Sequence, residues 1–167
     1  MSRLIVFVLL FLQFSFISCD KSEDEATLIF VRHTERADDG TNDPPISQQG
    51  IDRAVNLYHV LRDNGYKISA VYSTDWLRTR MTGQPTADSL NLTIELYDQE
   101  DPETFVNSMI QRHKGESALI VGHFDSTPFF INLILGEERI TEPTEYGELF
   151  IVNTSEIGSA EVEVKLF

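Results

Sequence analysis

Two apolar runs rich in β-formers end on histidine. Leu28-Ile29-Phe30-Val31 gives way to Arg32-His33-Thr34-Glu35-Arg36, and Ala118-Leu119-Ile120-Val121 gives way to Gly122-His123. Neither run alternates with polar residues, so both read as strands buried on two faces, the pattern of parallel strands. Ile68–Tyr72 and Leu92–Tyr97 read as two further strands, and Leu149–Val152 and Ala160–Phe167 as two late ones. Helical spacing lies between them. Ser47 caps a helix whose apolar face runs Ile51, Ala54, Val55, Tyr58 and Leu61, ended by Asn64-Gly65. A second helix is entered through Ser73-Thr74-Asp75 and continues through Trp76, Leu77 and Arg80; Pro85 interrupts or restarts it before Leu90. Asp101 and Pro102 open a third, with Phe105, Val106, Met109 and Ile110 as its buried stripe. A fourth follows Ser126-Thr127-Pro128 and closes at Leu135-Gly136. The order β-α-β-α-β-α-β-α-β-β predicts an α/β fold: a three-layer α/β/α sandwich around a mostly parallel sheet.

The amino terminus has a different character. One cation, Arg3, precedes an apolar run from Leu4 to Ile17 broken only by Gln13 and Ser15, which is short for a membrane span and suited to an export signal. The single cysteine of the chain, Cys19, stands where cleavage would fall, and a lone cysteine cannot form an intramolecular disulfide. The segment resembles a bacterial lipoprotein signal, with Phe16 where such signals usually carry Leu. The expected organisation is a signal peptide over 1–18, a polar tether over 19–26 and one domain over 27–167. The resemblance implies acylation of Cys19 and export to a membrane of the bacterial periplasm or outer membrane. An ordinary signal peptide with an incidental Cys19 is the alternative.

Charge narrows the choice of partner. The chain carries 13 basic and 27 acidic residues, a net charge of −14, which speaks against long-range attraction to nucleic acid or anionic headgroups. A basic pocket on such a protein still accepts a small anion, because local fields dominate at contact distance.

The strand ends supply that pocket. In open α/β sheets ligand chemistry collects beyond the carboxyl ends of the strands. Arginine forks phosphate oxygens, and a neutral imidazole is a capable nucleophile near neutral pH. Arg32 and His33, His123, and the Ser73–Arg78 strand end with its helix start could converge there, the two helix amino termini adding N–H donors. The plain alternative is that each histidine merely closes a strand. His59 and His113 read as surface groups, and Trp76 as core or pocket wall.

With those residues in view, the chain resembles the histidine phosphatase superfamily, the phosphoglycerate-mutase-like fold. Val31-Arg32-His33-Thr34-Glu35 is similar to its opening motif. Asp43-Pro44-Pro45-Ile46-Ser47 with Gly50, then Tyr72-Ser73 through Arg78 and Thr82, then Val121-Gly122-His123 follow in the family's order. The resemblance implies that His33 accepts the phosphoryl group, that Arg32, Arg78 and His123 bind it and stabilise its charge, that Thr34 contributes to substrate binding, and that water hydrolyses the phosphohistidine. It implies no cofactor and no metal. The substrate would be a phosphorylated small molecule or phosphoprotein. For the general acid the candidates are Asp98 and Glu95, which by alternation point to opposite faces; Asp98 is favoured, because Tyr97-Asp98 lies at a strand end and resembles related small phosphatases. Asp125 is a departure from the family's small bacterial members, since a carboxylate beside a phosphate repels it. Two rivals remain: a non-catalytic lipoprotein that binds a phosphorylated ligand, and a phosphoglycerate-type mutase, for whose inserted segments this chain has no room.

Overall fold

The computed structural model describes residues 24–98, 100–142 and 145–167. The expected signal peptide and Cys19 lie outside the described residues. The chain runs β1 (Ala26–Arg32), α1 (Gln48–Asp63), β2 (Ile68–Ser73), α2 (Leu77–Leu90), β3 (Ile94–Leu96), α3 (Pro102–Arg112), β4 (Ser117–Gly122), α4 (Ser126–Leu135), β5 (Glu148–Glu156) and β6 (Ser159–Leu166). The six strands form one sheet in the order β3-β2-β4-β1-β5-β6. The four on the β3 side are parallel, while β5 runs antiparallel to β1 and forms a hairpin with β6.

Alternation along β1 explains its unbroken apolar run. Leu28 and Phe30 join one core with α3 and α4, through Val106, Met109, Phe130 and Ile134. Ile29 and Val31 join the other core, with Leu57 and Leu61 of α1 and Ala87 of α2. The sheet is thus buried on both faces, and the α/β/α sandwich is confirmed. The helix that follows β1 packs on one face and the helix that follows β4 on the other. These two strands are neighbours, so a crevice opens between their carboxyl ends, where such sheets bind ligands.

Several local expectations change. The buried stripe of α1 is Gly50, Ala54, Leu57 and Leu61, while Ile51 and Val55 are 38% and 42% exposed. The stripe is set by the closest contact: a Cβ at Gly50 would lie 2.4 Å from the Glu35 carbonyl oxygen, so only glycine lets the helix approach the loop after β1. Pro85 does not interrupt α2, which runs unbroken through it. Its flanking residues Thr82, Gly83, Thr86 and Ala87 are buried, and this packing outweighs the lost backbone bond. The third strand shortens to three residues at the sheet edge. His113 is no surface group. It is buried between Ser69 Oγ at Nδ1 (3.1 Å) and Tyr72 Oη at Nε2 (3.0 Å), tying the end of α3 to β2.

Candidate active site

The register of β1 on β4 places Arg32 opposite Gly122, so the next residues, His33 and His123, emerge side by side. The His33 N–H donates to the Gly122 carbonyl at 2.9 Å, which fixes the strand end on which the ring stands. The two imidazoles lie edge to face with centroids 5.5 Å apart. Gly122 is the only residue that fits before His123, because a Cβ there would fall 2.8 Å from Ser126 Oγ and 2.9 Å from Tyr97 Oη.

The His33 Nδ1 lies 2.8 Å from the Thr34 carbonyl oxygen. A carbonyl only accepts, so Nδ1 carries the proton and Nε2 keeps its lone pair. Burial pushes the His33 pKa down to about 4; the Thr34 carbonyl opposes this, and the positive charges of His123, Arg78 and Arg32 add to the depression. The ring is therefore neutral and nucleophilic across the physiological range. His123 is also depressed, by burial first and Arg78 second, while Asp125 pulls it upward. Its Nε2 contacts Thr74 Oγ1 at 3.0 Å and its Nδ1 faces Arg78 Nη2 at 3.5 Å.

Around this pair lies a cavity of about 470 Å³, lined by Arg32, His33, Arg36, Trp76, Arg78, His123, Phe124, Asp125 and Tyr146. Both expected phosphate arginines are backed by aromatic faces. The Arg32 guanidinium carbon lies 4.2 Å from the Tyr146 ring centroid, and that of Arg78 lies 4.4 Å from Trp76. Such stacking holds a guanidinium in place while its edge stays open to an anion. The Arg32 Nε is buried with no hydrogen-bond partner among the described residues. Trp76 is thus pocket wall, as one of its two expected roles had it. Tyr146, on the segment before β5, is a site residue that nothing in the sequence marks but its aromatic character.

The helix ends contribute less than the sequence suggested. The first N–H of α2, at Leu77, donates to both Asp43 carboxylate oxygens at 2.9 and 3.2 Å, and that carboxylate lies 3.6 Å from Arg78. The Ser126 N–H at the start of α4 donates to Asp125 at 2.7 Å. Protein carboxylates already occupy these donors, so anion binding falls mainly to the side chains. Asp43 was legible only as part of the D-P-P turn; here it caps α2 and orients Arg78.

Three expected residues lie elsewhere. Thr34 is buried and outside the cavity lining. Its N–H donates to Thr82 Oγ1 at 3.0 Å, and the Thr82 hydroxyl donates to the Arg78 carbonyl at 2.8 Å, so Thr34 couples the His33 loop to α2 rather than facing a substrate. Asp98 is exposed and accepts the Glu100 N–H at 3.1 Å, away from the lining. Glu95 is paired with both terminal nitrogens of Arg112 at 3.0 and 3.1 Å. Glu95 lies in β3, a sheet-edge strand separated from β1 by β2 and β4, and Asp98 follows it, so strand position keeps both from the crevice. Among the described residues, the carboxylate that does line the cavity is Asp125. Glu35 is held by Arg53 Nε and Nη2 at 2.7 to 3.0 Å and supports the loop from behind. No group of three or more metal-ligating side chains gathers among the described residues.

The model of the histidine phosphatase superfamily (branch 1) matches residues 28–99, a span that holds Arg32, His33, Thr34, Arg78 and Thr82 and ends before His123. No curated protein matches the chain. Among solved structures, the protein histidine phosphatase SixA complexed with tungstate superposes with a TM-score of 0.68 at 18% identity, over 84% of this chain and 96% of that one. The phosphoserine phosphatase of Entamoeba histolytica in complex with 3-phosphoglyceric acid gives 0.63 at 14% identity, over 85% and 98%. The mycobacterial glucosyl-3-phosphoglycerate phosphatase gives 0.63 at 11%, over 86% and 98%. The fold is that of the phosphoglycerate-mutase-like proteins, and the first part of the chain, over residues 28–99, is similar to the histidine phosphatase superfamily (branch 1).

Proposed function

We propose that this protein is a phosphatase that works through a phosphohistidine on His33 and needs no metal. The observation that carries this reading is the neutral His33 ring with Nε2 unprotonated, beside His123 and two aromatic-backed arginines in one cavity. Arg32, Arg78 and His123 hold the phosphoryl oxygens and meet the charge they carry in the transition state. His33 Nε2 attacks phosphorus as the bond to the leaving oxygen or nitrogen breaks. The leaving group takes a proton from the Asp125 carboxyl, the acid within reach of the cavity. Water then attacks phosphorus, its proton passes to Asp125, and the N–P bond breaks to release phosphate and neutral His33. In this scheme Asp125 replaces Asp98 as general acid. We also propose, from the sequence of the amino-terminal segment, that the protein is exported and anchored through an acylated Cys19.

His33→Ala abolishes turnover of p-nitrophenyl phosphate, and Arg32→Ala, Arg78→Ala and His123→Ala each slow it roughly a hundredfold or more. Quenching in alkali during turnover traps a phosphoenzyme that acid destroys, in the parent and not in the His33 variant. A fully active His33→Ala protein overturns the mechanism.

The acid assignment is tested by leaving group. Asp125→Asn slows hydrolysis of alkyl phosphates about a hundredfold and of p-nitrophenyl phosphate far less, since nitrophenolate departs unprotonated. Asp98→Asn leaves both rates near the parent's. The opposite pattern returns the role to Asp98.

The histidine's depressed pKa has a sign that can be checked. In the unfolded chain His33 binds a proton below its ordinary value of 6.5, whereas in the unliganded native protein it does so only near 4. Stability therefore falls as pH drops below 6.5 and stops falling on this account below about 4. Nitrogen chemical shifts of His33 followed against pH should show the midpoint near 4, and a midpoint near 6.5 contradicts the buried neutral ring.

Mass spectrometry of the membrane fraction should show a mature protein beginning at a diacylglyceryl-modified Cys19, and Cys19→Ser should block both lipidation and processing. Several acyl chains are implied, because one chain alone holds a protein only marginally at a bilayer. An unmodified soluble product of the parent sequence rules the anchor out.

A further inference from the structure

The mechanism uses Arg32 and Arg78 and leaves a third guanidinium of the cavity without a role. Arg36 lines the cavity from the loop after β1. Its backbone is pinned on both sides: Ser47 N–H donates to the Glu35 carbonyl at 2.7 Å, Ala37 N–H donates to the Pro45 carbonyl at 2.8 Å, and Arg36 itself forms an antiparallel bridge with Ile46. The side chain is exposed, and no carboxylate lies within 4.0 Å of it among the described residues, although Arg53, Arg62, Arg78, Arg80 and Arg112 all have such a partner. Among the described residues, this cation stands unpaired on a fixed base at the rim of a basic cavity.

Room and charge both point to a second anion. A phosphoryl group fills only a small part of about 470 Å³, a volume within the range of whole small-molecule sites. In the proposed reaction its three non-bridging oxygens are met by Arg32, Arg78 and His123. Of the charged residues that line the cavity, Arg32 and Arg78 meet the phosphoryl group and Asp125 carries the proton, so Arg36 is the charge left for a second group. We propose that the substrate is a phosphate ester or phosphoramidate bearing a second anionic group, carboxylate or phosphate, and that Arg36 selects it. This rests on the phosphatase reading only for where the phosphoryl group sits.

Non-hydrolysable ligands test it without turnover. Calorimetry on the purified protein compares ethylphosphonate with 3-phosphonopropionate and with its neutral amide. The carboxylate should bind about tenfold or more tighter than the other two, the effect of one charge-assisted hydrogen bond. Arg36→Gln should collapse that ratio towards unity, and Arg36→Lys should keep part of it. No preference in the parent, a ratio that survives in Arg36→Gln, or failure of every phosphonate to bind overturns the inference. Phenyl phosphate hydrolysis is measured on the same samples. Selective phosphonate binding without hydrolysis would sink the phosphatase reading and leave selection by Arg36 standing.

Discussion

The parallel pairing of β1 with β4 is the constraint on which the site depends. Six registered residue pairs, closed by the His33 N–H on the Gly122 carbonyl, bring together two histidines that are far apart in the chain. Pairing of this kind admits no small adjustment. A slip of one residue would exchange the two faces of each strand and carry Leu28 and Phe30 into the wrong core. The cost of that exchange, in buried apolar surface on both sides of the sheet, is what holds the imidazoles 5.5 Å apart. Site geometry and core packing are therefore one arrangement.

A second layer of contacts converts this frame into a chemical environment. Thr34, Thr82 and the Arg78 carbonyl form a buried chain from the nucleophile's loop to the first turns of α2. Asp43 closes the same circuit from the other side by capping Leu77 next to Arg78. Glu35 anchors the loop outwards through Arg53, whose other terminal nitrogen donates to the Phe167 carbonyl at 2.9 Å. Thr34 and Glu35, which follow the nucleophile, thus look away from the cavity and keep its loop rigid, while Arg32 and His33 turn inward.

The framework was readable from the sequence because strong signals repeat locally. Continuous apolar runs marked β1 and β4, and Ser47 and Asp101 marked the helix starts, where both side chains accept the expected N–H groups. Arg32, His33, Arg78 and His123 could be placed because each follows a strand end or helix start. What escaped was information held in three dimensions. The α1 stripe is not legible from apolar residues, because Gly50, which has no side chain to count as apolar, decides the closest face. Pro85 sits inside a helix because packing on both sides of it, which local propensity ignores, holds α2 together. Asp98 stands at a strand end, which marks it as a candidate acid, yet the order of strands in the sheet, invisible in a single sequence, leaves that end outside the cavity lining. Tyr146 and His113 owe their roles to contacts between distant segments, for which spacing offers no cue.

The backing of Arg32 by Tyr146 separates two kinds of tolerance in this protein. The guanidinium belongs to a strand whose every neighbour is fixed by the core, whereas its aromatic support arrives on a connection between α4 and β5 that the sheet does not dictate. Changes of length or sequence in that connection can retune how firmly the arginine is gripped without disturbing a single strand pair. Drift in affinity can then accumulate at a loop while the reacting groups stay where they are, which gives this architecture a cheap route from one phosphorylated ligand to another.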